Sequence, residues 1–101
     1  MSDTTQTRTI VVNHPQGMHM RPAHVFAETA ARFDCQIEVV KDDLRIDGKS
    51  VLSILTLGAG PGSSISLEAT GPDAEEAVNT LVELINAGFP SNGNVGEDTR
   101  E

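Results

Sequence analysis

Alternating apolar and polar residues indicate that the chain forms β-strands. The clearest run covers residues 64–70, where the apolar side chains occupy every second position: Ile65, Leu67 and Ala69. A run near 8–13 is rich in β-branched residues and predicts the first strand. Because the clearest run has a single apolar face, we predict a sheet with one face against a core and the other in water.

Two shorter alternating runs lie between these strands and predict a hairpin. Their apolar residues occupy alternate positions: Ile37, Val39, Leu44 and Ile46. Asp42-Asp43 separates the runs, and two turn-forming residues between alternating segments are typical of a hairpin. We therefore predict antiparallel strands over 36–41 and 44–47, each with one apolar face.

Apolar residues at helical spacing predict two longer helices. The first begins near Pro22, whose missing N–H costs nothing in a first turn, and ends near 32–34. Its predicted buried stripe consists of Ala23, Phe26, Ala27 and Ala30. The last helix begins after Asp73, with Glu76 completing a capping box, and stops at Gly88.

A third and shorter predicted helix, over 51–57, has more apolar residues than one face can bury. Ser50 precedes it and is a good N-cap. If Ile54 and Leu57 face the sheet, three apolar side chains remain largely outside the core: Val51, Leu52 and Leu55. An exposed apolar patch of this kind usually marks a contact site.

Together these elements predict an α+β fold of order β-α-β-β-α-β-α, with a four-stranded antiparallel sheet and three helices on one face. The length of 101 residues is enough for one domain with a modest core. We expect a flexible N-terminus over 1–7, the domain over 8–89, and a disordered acidic tail over 90–101.

Composition and charge exclude several classes of protein. A formal net charge of −8 argues against nucleic acid and anionic membranes as partners. No apolar run approaches the ~20 residues of a membrane span, and the N-terminus lacks the basic and apolar regions of a signal peptide. The single cysteine, Cys35, fits the cytoplasm, and we expect it to be a small buried side chain.

His19 and Arg21 form the candidate chemical site. They lie between the first strand and the first helix, where backbone N–H groups are unpaired and the helix dipole is positive. A neutral imidazole can form a covalent intermediate, and Arg21 could stabilise a transferred phosphoryl group. The residues alone do not exclude a surface histidine beside an unrelated arginine. The chain has no Walker-type glycine-rich loop and no second acid–base partner in sequence, which argues against nucleotide binding and a complete enzyme active site.

Three other features near His19 could bear on function. Histidines recur at a spacing of five: His14, His19 and His24. This spacing does not align side chains on a helix face, so we predict no metal site. Met18 and Met20 are either core residues or adaptable contacts beside His19. The glycine-rich segment 58–62 could cradle a phosphate, although a simple connection between two elements is the favoured interpretation.

Two segments of the chain carry a resemblance to a known family. Residues 17–23 read Gly-Met-His-Met-Arg-Pro-Ala, and residues 48–58 read Gly-Lys-Ser followed by an apolar run that ends in Leu-Gly. The first resembles the Gly-Leu-His-x-Arg-Pro-Ala signature of HPr, the phosphocarrier of the bacterial phosphoenolpyruvate-dependent phosphotransferase system. The second is similar to the Lys-Ser segment of the same family. The element order also matches, over residues 8–88.

The resemblance implies an open-faced β-sandwich and a role for each candidate residue. His19 would accept a phosphoryl group from phosphorylated enzyme I, on Nδ1 in this family, and pass it to a receiver domain of a sugar permease or of a regulatory relative. Arg21 would contact the phosphoryl group, and Ser50 would be the serine that HPr kinase/phosphorylase modifies. The partner-docking residues would be Met20, Val51, Leu52 and Leu55. We expect a monomeric carrier without a cofactor, and not an enzyme in itself.

The sequence departs from the family at three positions. Met20 replaces a small residue or threonine, while Glu28 and Ala31 replace lysines that face enzyme I in well-known members. These changes predict a different choice of partner or a more basic partner surface.

Two other functions are compatible with these residues. The protein could be a regulatory binding module that acts through Ser50 and the apolar patch without phosphotransfer. It could also be a carrier in a nitrogen- or carbon-control relay with no part in sugar transport.

Overall fold

The computed structural model describes residues 4–12, 17–18 and 20–89. Four strands and three helices follow one another in the predicted order: β1 (Thr4–Val11), α1 (Met20–Ala30), β2 (Gln36–Lys41), β3 (Leu44–Asp47), α2 (Val51–Thr56), β4 (Ser64–Gly71) and α3 (Ala74–Asn86). The predicted α+β class and the element order are therefore confirmed.

The four strands form one antiparallel sheet in the order β1-β4-β2-β3. In its centre Leu67 of β4 pairs with Val39 of β2, and Ile65 pairs with Ile10 of β1. Since these side chains are all buried and their strand neighbours are more exposed, the sheet has one apolar face, as the alternation predicts.

The core lies between this apolar face and the helices. The sheet contributes Ile10, Ile37, Val39, Ile65, Leu67 and Ala69. The helices contribute Ala23, Phe26, Ala27, Ala30, Ile54, Ala74, Ala77, Val78, Leu81 and Ile85. The stripe predicted for α1 is therefore confirmed, and its alanines keep that helix close to its neighbours. In the described part of the chain, no helix is long and apolar enough to cross a membrane.

The start of β1 differs from the prediction. The strand begins at Thr4, which pairs with Gly71, so residues 4–7 belong to the sheet although we expected them to be flexible. These residues are polar and show no hydrophobic alternation. Their strand is held by backbone pairing along the full length of β4, which does not depend on apolar side chains. Residues 1–3 and the tail over 90–101 lie outside the described residues.

The apolar face predicted for β3 is confirmed at Ile46, which packs against the core, but not at Leu44. Leu44 is 42% exposed and Ile46 is only partly buried. The hairpin itself is confirmed, with its turn at Asp42-Asp43 and with Lys41 paired to Leu44. Because β3 is an edge strand beyond β2, it lies at the margin of the core, where Ile46 is covered in part and Leu44 remains exposed.

The helix ends show which capping predictions hold. The Ser50 Oγ accepts a hydrogen bond from the Ser53 N–H at 3.2 Å, which confirms the N-cap of α2. Gly88 ends α3 with φ +81°, and the Phe89 N–H donates back to the Leu84 carbonyl at 2.9 Å.

The capping box predicted for α3 is wrong. Asp73 occupies the N-cap position, but its side chain makes no hydrogen bond to the start of its own helix. Its Oδ2 instead accepts the Asp34 N–H at 2.7 Å, and this bond ties the start of α3 to the loop before β2.

Candidate functional site

The segment that leads into α1 is fixed by a loop 41 residues further along the chain. The Met18 N–H donates to the Ala59 carbonyl at 2.7 Å. Gly17 has φ +69°, and a Cβ there would lie 2.5 Å from the Ala59 oxygen and 2.6 Å from the Gly60 Cα. Only glycine therefore allows this close approach. No signal in the sequence indicates that Ala59 has this supporting role.

The glycine-rich segment 58–62 connects α2 to β4. The Gly62 N–H donates to the Val12 carbonyl at 2.8 Å, and the Ser63 N–H donates to the Gly60 carbonyl at 3.1 Å. These bonds to nearby backbone support the interpretation of the segment as a connection. The bond to Val12 also joins the segment to the residue that follows β1, on the N-terminal side of His19.

His19 itself lies outside the described residues, as does His14. The neighbours of His19 are described, and they differ sharply: Met18 is 4% exposed, whereas Met20 is 58% exposed. Met18 is therefore a core residue, and Met20 is free to contact a partner. Of the two alternatives for the methionines, the core position holds for Met18, and the contact beside His19 stays a prediction for Met20.

The start of α1 has the properties of an anion site. The helix begins at Met20, directly after His19 in the sequence, and runs for 11 residues. Its first N–H groups have no intrahelical acceptor, and its first turn contains no acidic side chain. Arg21 lies in this turn with an exposed side chain. Dipole and guanidinium therefore both favour a negative charge at this end of the helix.

The predicted docking residues divide into two groups by exposure. We call Met20, Val51, Leu52 and Leu55 the docking patch. Leu52 is 75% exposed, more than any other large apolar residue that the structure describes, and Met20 is similarly open. Val51 and Leu55 are half-buried and pack against the core. Since α1 and α2 contact each other, the patch belongs to one layer of the molecule.

Ser50 lies directly before the docking patch and is half-buried. Besides its cap to Ser53, its N–H donates to the Asp47 carbonyl at 3.2 Å. The preceding Lys49 is tied to the segment after α1, since its Nζ donates to the Phe33 carbonyl at 2.9 Å. The segment before α2 is therefore anchored on both sides of Ser50.

Cys35 is buried, as the sequence predicts, and it is a poor candidate for thiol chemistry. Burial, together with the neighbouring Asp73 carboxylate, raises the pKa of its thiol to about 11. The thiol is therefore protonated at neutral pH and is a weak nucleophile. The Asp34 N–H that bonds to Asp73 lowers the pKa of that carboxyl.

Of the two positions at which the sequence departs from the family's lysines, Glu28 lies on α1 and Ala31 directly follows that helix. Glu28 and Ala31 are both exposed. Glu28 Oε1 lies 3.9 Å from Nδ1 of His24, which is charged only when protonated. Within the described ranges, no three His, Cys, Asp or Glu side chains are arranged to hold a metal ion.

Comparison with known proteins shows the family. Residues 6–87 match the family model described as "PTS HPr component phosphorylation site". HPr of Neisseria meningitidis serogroup A is 37% identical over 82 residues, which cover 81% of this chain and 92% of that protein. Phosphocarrier protein NPr of Escherichia coli K12 is 35% identical over 86 residues, covering 84% of this chain and 96% of NPr.

The fold agrees with this sequence relationship. HPr of Thermoanaerobacter tengcongensis superposes with a TM-score of 0.82 at 39% identity, covering 86% of this chain and 98% of that structure. An open four-stranded antiparallel sheet with three helices, together with this similarity over most of the chain, defines a phosphocarrier. The chain belongs to the HPr family of the phosphotransferase system, whose members are carriers and not enzymes in themselves.

Proposed function

We propose that His19 is the residue that carries the phosphoryl group. The observation that supports this most is the start of α1 directly after His19, with Arg21 in a first turn that has no acidic side chain. Phosphorylated enzyme I is the proposed donor. The acceptor is a receiver domain of a sugar permease or of a nitrogen- or carbon-control relative.

The proposed transfer is a displacement at phosphorus. The lone pair of a neutral imidazole nitrogen of His19 forms the new P–N bond, while the bond from phosphorus to the donor breaks and its electron pair stays with the donor. Charge on the three phosphoryl oxygens is met by the N–H groups at the start of α1 and by Arg21. The second transfer repeats this step with His19 as the leaving group, so the carrier is regenerated.

Intact-mass spectrometry tests the role of His19. The protein is incubated with phosphoenolpyruvate and enzyme I, and we expect the addition of a single phosphoryl group that acid removes. The His19→Ala variant should gain none. Arg21→Ala should still be phosphorylated, but more slowly by about tenfold or more. A phosphoryl group that persists in His19→Ala would refute the assignment.

We further propose that phosphorylation of Ser50 by an HPr kinase/phosphorylase weakens docking. The modification would place about two negative charges next to the exposed Leu52. The Ser50 oxygen would remain available to cap α2, so the fold would persist while the surface changes. The charge must then be desolvated when a partner covers the docking patch, which opposes association.

A matched pair of substitutions isolates this charge. Asp and Asn both cap helices well, so Ser50→Asp and Ser50→Asn should fold equally. We expect Ser50→Asp to slow phosphorylation by enzyme I by roughly tenfold and Ser50→Asn to leave it near the wild-type rate. Equal rates for the two variants would contradict the switch.

The second candidate function is a regulatory binding module. It is favoured by the docking patch and by Ser50, neither of which requires a phosphohistidine to be useful. In that case the protein would gain no phosphoryl group from enzyme I, while Leu52→Ser would still weaken binding to its partner. The single buried Cys35 fits a cytoplasmic location under either function, and that location stays a prediction.

A further inference from the structure

The exposed side of α1 carries one row of residues that leads away from the docking patch. Met20, His24 and Glu28 are spaced by four, so their side chains lie on the same side of the helix. All three are exposed, and the side chain of Glu28 is 65% exposed. The row therefore continues the surface of the patch along α1.

Charge is sparse on this surface, which makes Glu28 conspicuous. α2 has no charged residue, and α1 has two with a permanent charge at neutral pH, Arg21 and Glu28. Arg21 lies in the first turn, at the proposed phosphoryl site. Among the described residues, the ion-pair partner of Glu28 is His24, at 3.9 Å. This contact compensates the carboxylate only when the imidazole is protonated.

A partner of ordinary size whose interface is centred near Met20 would also cover Glu28. Eight residues of helix separate it from Met20, which corresponds to about 12 Å. A standard interface buries about 800 Å² on each partner, equivalent to a disc of roughly 16 Å radius. An uncompensated carboxylate inside that area would cost the complex part of its binding energy.

We propose that the phosphoryl donor presents a basic side chain to Glu28 when it docks on α1 and α2. This inference rests on the proposed function, because it assumes that the donor docks on this patch. The net charge of −8 supports it, since a donor with a basic surface would be attracted from a distance as well as at contact. Glu28 is then a specificity residue that selects donors with a cation at this point of the interface.

Charge reversal at Glu28 tests the proposal. The rate of phosphorylation by phosphoenolpyruvate and the organism's own enzyme I is measured at low and high ionic strength. Glu28→Lys should lower kcat/KM by about tenfold at low ionic strength, and Glu28→Gln by a smaller factor. Both losses should shrink in high salt, because salt screens the attraction.

Glu83→Lys is the matched control. Glu83 is an exposed glutamate on another helix, so this substitution makes the same change in net charge away from the α1 row. We expect it to reduce kcat/KM much less than Glu28→Lys. An unchanged or faster rate in Glu28→Lys, or an equal loss in Glu83→Lys, would overturn the proposal.

The outcomes separate this inference from the proposed function. If the wild type gains no phosphoryl group, the proposed function fails and the role of Glu28 fails with it. If the wild type is phosphorylated on His19 and the charge at residue 28 has no effect, the role of Glu28 alone fails.

Discussion

The docking patch and the open face of the sheet are both exposed, but the open face is mostly polar and the docking patch is apolar. We define the open face by the outward residues Thr5, Thr9, Val11, Glu38, Arg45, Ser66, Glu68 and Thr70, of which Val11, at the end of β1, is an exposed apolar residue. Its hydroxyls pair across strands, Thr5 with Thr70 and Thr9 with Ser66, each at 3.0 Å. The docking patch instead exposes apolar carbon at Met20 and Leu52.

The charges of the open face are also compensated within the chain. Glu38 and Glu68 lie directly opposite each other on β2 and β4, where two like charges would repel. Arg45 of β3 donates to both carboxylates, at 2.7 Å to Glu38 and 2.5 Å to Glu68, and these bonds raise the pKa of its guanidinium.

This difference supports the proposal that a partner docks on the patch and not on the open face. Polar groups that already bond to one another form few new hydrogen bonds with a partner. Covering exposed apolar surface, in contrast, lowers the free energy of the complex. Exposure alone therefore does not identify the functional surface of this protein. If the two surfaces differ in function as they differ in chemistry, substitutions on the docking patch should slow phosphorylation and substitutions on the open face should not.

The largest expected effect is a difference in stability between substitutions on the two sides of α2. Ile54 is fully buried, so Ile54→Ala should lower the free energy of unfolding by about 3 kcal/mol. Leu52→Ala, on the exposed side of the same helix, should change it by less than about 0.5 kcal/mol. Chemical denaturation measures both.

When the rate of phosphorylation of the folded protein is measured, Leu52→Ala should be the more impaired of the two variants. Leu52→Ala should slow phosphorylation by enzyme I several-fold although its stability is unchanged. If Leu52→Ala reacted at the wild-type rate, the apolar side chain of the docking patch would have no part in docking.

The next effect concerns Gly17, where the segment before α1 packs against the backbone of Ala59 and Gly60. Gly17→Ala should destabilise the protein by about 2 to 3 kcal/mol, because the new Cβ meets the backbone of Ala59 and Gly60. Gly58→Ala is the control, since its φ is also positive but no atom lies within 4 Å of a Cβ there. It should cost only about 1 kcal/mol of backbone strain. Equal losses would show that the close approach at Gly17 is unimportant.

A smaller effect is expected on the open face. Arg45→Ala should lower the melting temperature at low salt by leaving Glu38 opposite Glu68 without a cation, and high salt should reduce the loss. Adding Glu68→Gln to Arg45→Ala should restore part of the lost melting temperature. Phosphorylation by enzyme I should be unaffected in both variants. A slower reaction in Arg45→Ala would break the distinction between the two surfaces.

The last effect is a pH dependence at Cys35, which belongs to neither surface. Its pKa is raised from 9.0 to about 11, so its thiol contributes stability below pH 9 that is lost as the pH rises through 11. At pH 8 the native thiol should react with iodoacetamide about a hundredfold more slowly than in the denatured chain. Similar alkylation rates in the two states would contradict the buried, protonated thiol.

Features determined by neighbouring residues could be predicted from the sequence. The Ser50 cap, the Asp42-Asp43 turn, the helix stop at Gly88 and the exposed Leu52 all depend on residues within one or two turns. The resemblance to HPr supplied the family and roles for His19 and Ser50, which spacing alone could not supply.

Features that depend on distant residues could not be predicted. The Asp73 carboxylate bonds across 39 positions to the Asp34 N–H instead of capping its own helix. Leu44 has the alternation of a buried residue but lies on an edge strand. Ala59 fixes Met18 by a bond between segments far apart in the chain. In each case the tertiary arrangement, and not the local pattern, decides the outcome.

Mapping the donor's footprint on the protein tests the central claim most directly. Amide NMR spectra of the isotope-labelled protein are recorded while unlabelled enzyme I is added. We predict that the signals of Met20, Arg21 and Leu52 shift or broaden first, while those of Thr9 and Ser66 stay unchanged. Perturbations centred on Thr9 and Ser66, with Leu52 unaffected, would contradict the assignment of function to the docking patch.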